Sequence, residues 1–307
     1  MRMSARFPRY GRTARLATGP ILHADSSGSA AASAALPPAH RVLVLIVTFL
    51  AAVLFAVGAA APASAAGKGG NGGGGKPASS VTYSALGDSY AAGQGAGSYL
   101  NTTCYVSSKG YPALIDASRT ITLNAEPACS GDSSLDVVSR QVALVPATTT
   151  RVTLTVGGND LGFSTVMQDC FVLVSPTACD ADLATANAMI SGGTITSRIT
   201  AAVGAIRTRA PGAKVIVTGY PRLFAPTVTR AYAQQVNTST TALNAAIRTG
   251  ATAAGAVYVD VEAVFADHGI GSASPWINDW SWFNISAGFH PNASGYVAYQ
   301  GRIALVW

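Results

Sequence analysis

Val81-Thr82-Tyr83-Ser84-Ala85-Leu86-Gly87-Asp88-Ser89-Tyr90 decides the fold: a short β-rich run delivers a serine onto a tight turn, with Gly93 and Gly95 close behind. Four further strand candidates follow, at 120–125, 151–156, 214–219 and 256–261, and several of the five are apolar on both faces. Strands of that kind lie in parallel sheets covered by helices. The spacers are long enough for crossover helices, notably 182–210 and 229–254, and 293–306 reads as a closing helix with Asn292 as its N-cap. The predicted architecture is a three-layer α/β/α sandwich. In such sheets functional residues gather where the carboxyl ends of strands lead into loops.

Of 307 residues, 49% are hydrophobic and 11% charged, which suits one globular domain plus an export segment. Residues 42–61 form an uncharged apolar run, preceded by Arg2, Arg6, Arg9, Arg12, Arg15 and Arg41 and followed by Ala63-Ser64-Ala65. That order predicts a signal peptide over 1–65. A run of this length could also anchor the chain in a membrane if left uncut. The Gly-rich stretch 66–80 reads as a flexible linker, and the catalytic domain as 81–307. Six of the 20 Lys and Arg residues precede Ala65, against one of the 14 acidic residues, so 14 basic and 13 acidic groups remain beyond it, a balance of +1. The formal +6 belongs to the leader, and no basic patch points to a nucleic-acid partner.

Four cysteines, Cys104, Cys129, Cys170 and Cys179, lie beyond the leader with no CxxC and no nearby histidine. They read as disulfides rather than metal ligands. Three connectivities are open; the sequential one, Cys104 to Cys129 and Cys170 to Cys179, is preferred because each bridge clips a local loop, at about 3 kcal/mol apiece in the loop-entropy picture.

A serine hydroxyl needs a base to become a nucleophile. Beyond the leader there are two histidines: His268 in a polar turn, and His290 in Phe289-His290-Pro291-Asn292, better placed just before the closing helix. Backbone and amide donors for an oxyanion are offered by Cys129-Ser130-Gly131-Asp132 and by Gly157-Gly158-Asn159-Asp160. Asp88 and Asp160 read as carboxylates that tie down loop backbone.

These four blocks, in this order, resemble the SGNH hydrolases, also called GDSL esterases and lipases, and within them the secreted actinobacterial enzymes. The resemblance covers about residues 81–307. It implies a flavodoxin-like α/β/α sandwich and an acyl-enzyme mechanism with Ser89 as nucleophile and oxyanion donor, Gly131 and Asn159 completing the oxyanion hole, and His290 as base. No metal or cofactor is expected, since neither His268 nor His290 has a cysteine or carboxylate at a familiar metal-site spacing. One departure stands out: the family motif places an aspartate three residues before the histidine, where this chain has Ala287. Some relatives use a main-chain carbonyl there, and the carbonyl of Ala287 is the candidate to orient the imidazole. Asp260 and Asp279 are alternative partners that the spacing does not favour. A second departure is the absence of cysteine from 267–282, which predicts a more mobile loop.

The expected activity is hydrolysis of carboxylic esters, acyl lipids first, by a secreted monomer that touches lipid surfaces transiently. Deacetylation or deacylation of a polysaccharide is the alternative on the same machinery. A non-catalytic secreted binding domain is the contrasting class. The cluster Trp276, Trp280, Trp282 and Phe283 reads equally as a lipid-binding lip or as core and loop anchors.

Overall fold

The five predicted strands form one sheet, and its edges fall close to where the sequence puts them. In the computed structural model, which describes residues 81–118 and 120–307, these are β1 (Val81–Gly87), β4 (Ile121–Ala125), β5 (Arg151–Thr155), β6 (Lys214–Thr218) and β7 (Val257–Val259). A two-stranded antiparallel ribbon, β2 (Tyr99–Asn101) with β3 (Val106–Ser107), stands apart. The predicted signal peptide, the alternative anchor at 42–61 and the linker lie outside the described residues.

All pairings in the large sheet are parallel, in the order β4-β1-β5-β6-β7. This is the flavodoxin-like order, and the strand sequence reverses direction between β1 and β5, the crevice where such sheets bind ligands. The helices are α1 (Ser89–Ala92), α2 (Tyr111–Asp116), α3 (Ser134–Asp136), α4 (Phe163–Met167), α5 (Pro176–Ser191), α6 (Thr194–Arg209), α7 (Ala233–Ala253) and α8 (Ala293–Ala304). The segment expected to be helical over 182–210 is two helices, broken at Gly192-Gly193. The closing helix begins as predicted, with the Asn292 side chain accepting from the Gly295 N–H at 3.0 Å.

The central strands bury threonines as well as aliphatics. Thr153, Thr155 and Thr218 are fully buried, and each would cost stability there without a hydrogen-bond partner. Tyrosines from the covering helices and from β1 supply the partners: Tyr83 to Thr153 at 2.7 Å, Tyr111 of α2 to Thr155 at 2.9 Å, and Tyr299 of α8 to Thr218 at 3.0 Å. Thr155 and Thr218 bond each other at 2.6 Å. Thr153 and Thr155, two apart on β5, therefore face α2 and α8, while Val152 and Leu154 face the other layer. The disulfides are Cys104–Cys129 and Cys170–Cys179.

Candidate active site

The turn after β1 is built around a close approach. Gly87 has φ +134, and a Cβ there would lie 2.0 Å from the Thr155 carbonyl oxygen, so only glycine lets β1 end against β5. The Asp88 N–H then donates to Thr155 O at 3.0 Å, and the Asp88 carboxylate caps α1 by accepting from the Tyr90 N–H at 3.0 Å. Ser89 is the first residue of α1, where an N–H has no intrahelical acceptor. Tyr220, just after β6, donates its hydroxyl to Asp88 Oδ2 at 2.5 Å and accepts from the Gly158 N–H at 3.1 Å. It thereby joins the serine turn to the Gly157-Gly158-Asn159 loop. Burial pushes the Asp88 carboxyl up to about 7, against the opposing pull of its hydrogen bonds from Tyr220 and Tyr90. Asp160, its side chain fully buried, accepts from the backbone and hydroxyl of Ser134 at 2.9 and 2.5 Å and pairs with Arg198 at 2.7 Å. Both aspartates tie loops together.

His290 faces Ser89 across the end of the sheet, with Nε2 2.8 Å from the serine Oγ. Its Nδ1 lies 2.7 Å from the carbonyl oxygen of Gly288. A carbonyl only accepts, so Nδ1 carries the hydrogen and Nε2 presents its lone pair to the hydroxyl. Burial lowers the ring's pKa to about 4, with the Gly288 carbonyl pulling the other way. The orienting carbonyl is thus one residue later than Ala287. The Ala287 oxygen instead accepts the backbone N–H of His290 at 3.2 Å. The reason lies in the backbone: Phe289 is held at φ +61, which turns the chain so that the Gly288 carbonyl folds back over the ring.

That strained residue is clamped on both sides. Tyr90 donates its hydroxyl to the Phe289 carbonyl at 2.6 Å, and the Phe289 N–H donates to Asn278 O at 2.8 Å. The Asn278 N–H and side-chain amide both donate to His290 O, at 2.9 and 3.1 Å. The cysteine-free loop 267–282 is accordingly pinned without a bridge: Ile270 N donates to Leu223 O at 2.7 Å, His268 stacks on Trp276 at 3.5 Å between centroids, and Arg230 grips both oxygens of Asp279. Asp279 is engaged by Arg230 and Asp260 by Arg248; neither takes the Nδ1 position.

Gly131, at φ +86, forms the turn after β4. The amide of Asn159 donates to the Asp132 carbonyl at 3.0 Å, which leaves its second hydrogen free for a ligand. Asp132 is itself held by Arg140 and by Gln141, both at 2.7 Å, while Gln141 also bonds the N–H and carbonyl of Gly87, each at 2.8 Å. The structure therefore brings the Ser89, Gly131 and Asn159 loops together, although Gly131 does not line the cavity that Ser89 and Asn159 share. Sequence reasoning missed Gln141, Tyr90, Tyr220 and Asn278. Of these, only Tyr220 carried a signal, its place at the carboxyl end of a strand.

Three hollows meet here. A 40 Å³ cavity is lined by Ser89, Asn159, Tyr220 and Leu243. A 60 Å³ cavity beside it is lined by Leu161, Val166, Met167 and Leu183. A third, of 310 Å³, runs from His290 between Val172 on one wall and Trp280, Trp282 and Ile285 on the other. Phe163 borders all three. The aromatic cluster divides: Trp276 is an anchor packed on Phe265 and His268, whereas Trp282 and Phe283 are exposed. Among the described residues, no group of three or more His, Cys, Asp or Glu could hold a metal ion.

A parallel α/β sandwich with a hydroxyl, a neutral imidazole and amide donors at its switch point defines a hydrolase that works by acyl transfer. Residues 85–298 match the GDSL-like lipase/acylhydrolase family. The chain is 36% identical over 227 residues to Lipase 1 of Streptomyces coelicolor, covering 72% of this chain and 84% of that protein. Its fold superposes on the crystal structure of the extracellular lipase of Streptomyces rimosus with a TM-score of 0.69 at 34% identity, covering 74% of this chain and all of that one. A phospholipase A1 from Streptomyces albidoflavus gives the same TM-score at 35% identity, over 73% and 98% of the two chains. The chain belongs to the GDSL-like lipase/acylhydrolase family, with the SGNH hydrolase fold, and is a carboxylic ester hydrolase. This sets aside the non-catalytic reading.

Proposed function

We propose that the protein is a secreted lipase or esterase that cleaves acyl-lipid esters through an acyl-enzyme on Ser89, with His290 as general base and the Gly288 carbonyl orienting the ring. The observation that carries this is the line from Ser89 Oγ through the imidazole to Gly288 O, in two contacts of 2.8 and 2.7 Å. His290 Nε2 takes the hydroxyl proton as Oγ attacks the ester carbonyl. The oxyanion is met by the N–H groups of Ser89 and Gly131 and by the Asn159 amide. The imidazolium then returns the proton to the leaving alcohol, and water, activated by the same nitrogen, releases the acid.

The apolar walls of all three hollows favour an acyl chain over a sugar, which ranks lipids above polysaccharide esters. Two disulfides fit an oxidising destination, as does the likeness to an enzyme described as extracellular. No helix among the described residues is long and apolar enough to cross a membrane. The protein acts as a monomer without a nucleic-acid partner. The test is labelling by a fluorophosphonate: a single adduct on Ser89 that abolishes ester hydrolysis is expected, and an adduct elsewhere, or continued hydrolysis after Ser89→Ala, overturns the assignment.

A further inference from the structure

We propose that Leu173, Val174 and Phe283 dock the protein on a neutral, zwitterionic lipid surface, with the mouth of the 310 Å³ cavity facing the lipid. This rests on the reading that the site cleaves acyl lipids. Two loops far apart in sequence raise apolar side chains into solvent at this mouth. Phe283 is 102% exposed and Trp282 72% on one; Leu173 and Val174 are each 61% exposed on the other. Both loops border the same hollow, which ends at His290. Exposed apolar groups gathered around one opening mark an interaction surface rather than random scatter.

The backbone is committed to this arrangement. Val174 sits at φ +51, a conformation that is a genuine outlier for a β-branched residue. It is held there by the Cys170–Cys179 bridge and by the N–H groups of Leu173 and Ser175, which donate to Gln168 O and Asp169 O at 2.8 Å each. Charge selects the occupant. Residues 170–175 and 280–290 contain no Asp, Glu, Lys or Arg, so nothing in the lip attracts an anionic headgroup or repels a neutral one. A second copy of the chain is disfavoured by size, because a stable interface needs about 800 Å² per partner and a few loop side chains fall short of it. Insertion to the depth of the headgroup boundary needs only such side chains.

The test uses two readouts that do not depend on each other. In a Ser89→Ala background, which prevents turnover, flotation with phosphatidylcholine vesicles should show binding that falls about tenfold or more in Leu173→Ser/Phe283→Ser. With Ser89 intact, the same double variant should keep its kcat/KM on a soluble short-chain aryl ester, since neither residue lines a cavity. Equal vesicle binding with and without the double substitution, or none by the parent, overturns the proposal while leaving ester hydrolysis untouched. So does binding confined to phosphatidylglycerol vesicles, or a dimer in sedimentation that the double substitution dissolves. Loss of the proposed catalytic reading would show separately, as soluble-ester hydrolysis that ignores Ser89→Ala.

Discussion

Acidification should inactivate this enzyme only at an unusually low pH. As the proposed base His290 must be neutral, and its ring is desolvated enough to lower the pKa from 6.5 to about 4. That difference amounts to about 3 kcal/mol against the imidazolium. A carboxylate on Nδ1 would offset much of it with a full negative charge, whereas the Gly288 carbonyl brings only a dipole. The profile of kcat/KM reports ionisations of the free enzyme. Measured with a short-chain aryl ester, it should stay level from pH 7 to about 5 and half-fall near pH 4, with circular dichroism at each pH separating loss of the base from unfolding. Between about pH 6.5 and 4 the unfolded ring takes up a proton that the folded one refuses, so this residue's contribution to stability falls as the pH falls through that window. Asp88, pushed up to about 7, is the group that could imitate a histidine, and Asp88→Asn removes it. An acid limb centred between pH 6 and 7 that persists in Asp88→Asn would refute the reasoning.

Asn159→Ala should lower kcat by about 10² or more with little change in KM, because the amide acts on charge that develops only in the transition state; steady-state kinetics would show a KM effect instead if Asn159 merely binds substrate. Asp260→Asn and Asp279→Asn, made singly, should each keep most of kcat while His290→Ala loses nearly all of it, and a loss of about 10⁴ in either folded Asp variant would mean that a carboxylate does orient the ring. Tyr220→Phe leaves the Asp88 carboxyl and the Gly158 N–H without their shared partner; denaturant unfolding should register a loss of about 1–3 kcal/mol, with kcat reduced through the displaced Asn159 loop.

The sheet was legible because several of its strands are apolar on both faces, and the loops that follow β1, β4 and β5 carry the glycines and polar residues that gather at the carboxyl ends of strands in such sheets. The break at Gly192-Gly193 was passed over because 182–210 reads as one long crossover, although paired glycines are themselves a break signal. The threonine and tyrosine pairs of the core were not visible at all: each tyrosine meets its hydroxyl partner only after the layers close. The displacement from Ala287 to Gly288 has the same origin. Which carbonyl faces a ring is set by backbone dihedrals, here the left-handed Phe289, and a phenylalanine in the sequence gives no hint of that conformation. Gln141 escaped because it reaches Gly87 and Asp132 from an irregular helical stretch with no motif of its own.

The Cys104–Cys129 bridge lies two residues before Gly131 and is flanked by backbone bonds from Cys129 N to Gly87 O and from Ser130 N to Cys104 O, both at 3.1 Å. The loop that carries Gly131 is therefore tied covalently to Cys104, between β2 and β3, by a link that forms only where thiols are oxidised, while a hydrogen bond joins it to the serine turn. Where thiols are kept reduced that link is absent, and the position of Gly131 rests on hydrogen bonds alone, among them those of Cys129 N to Gly87 O and of Gln141 to Asp132.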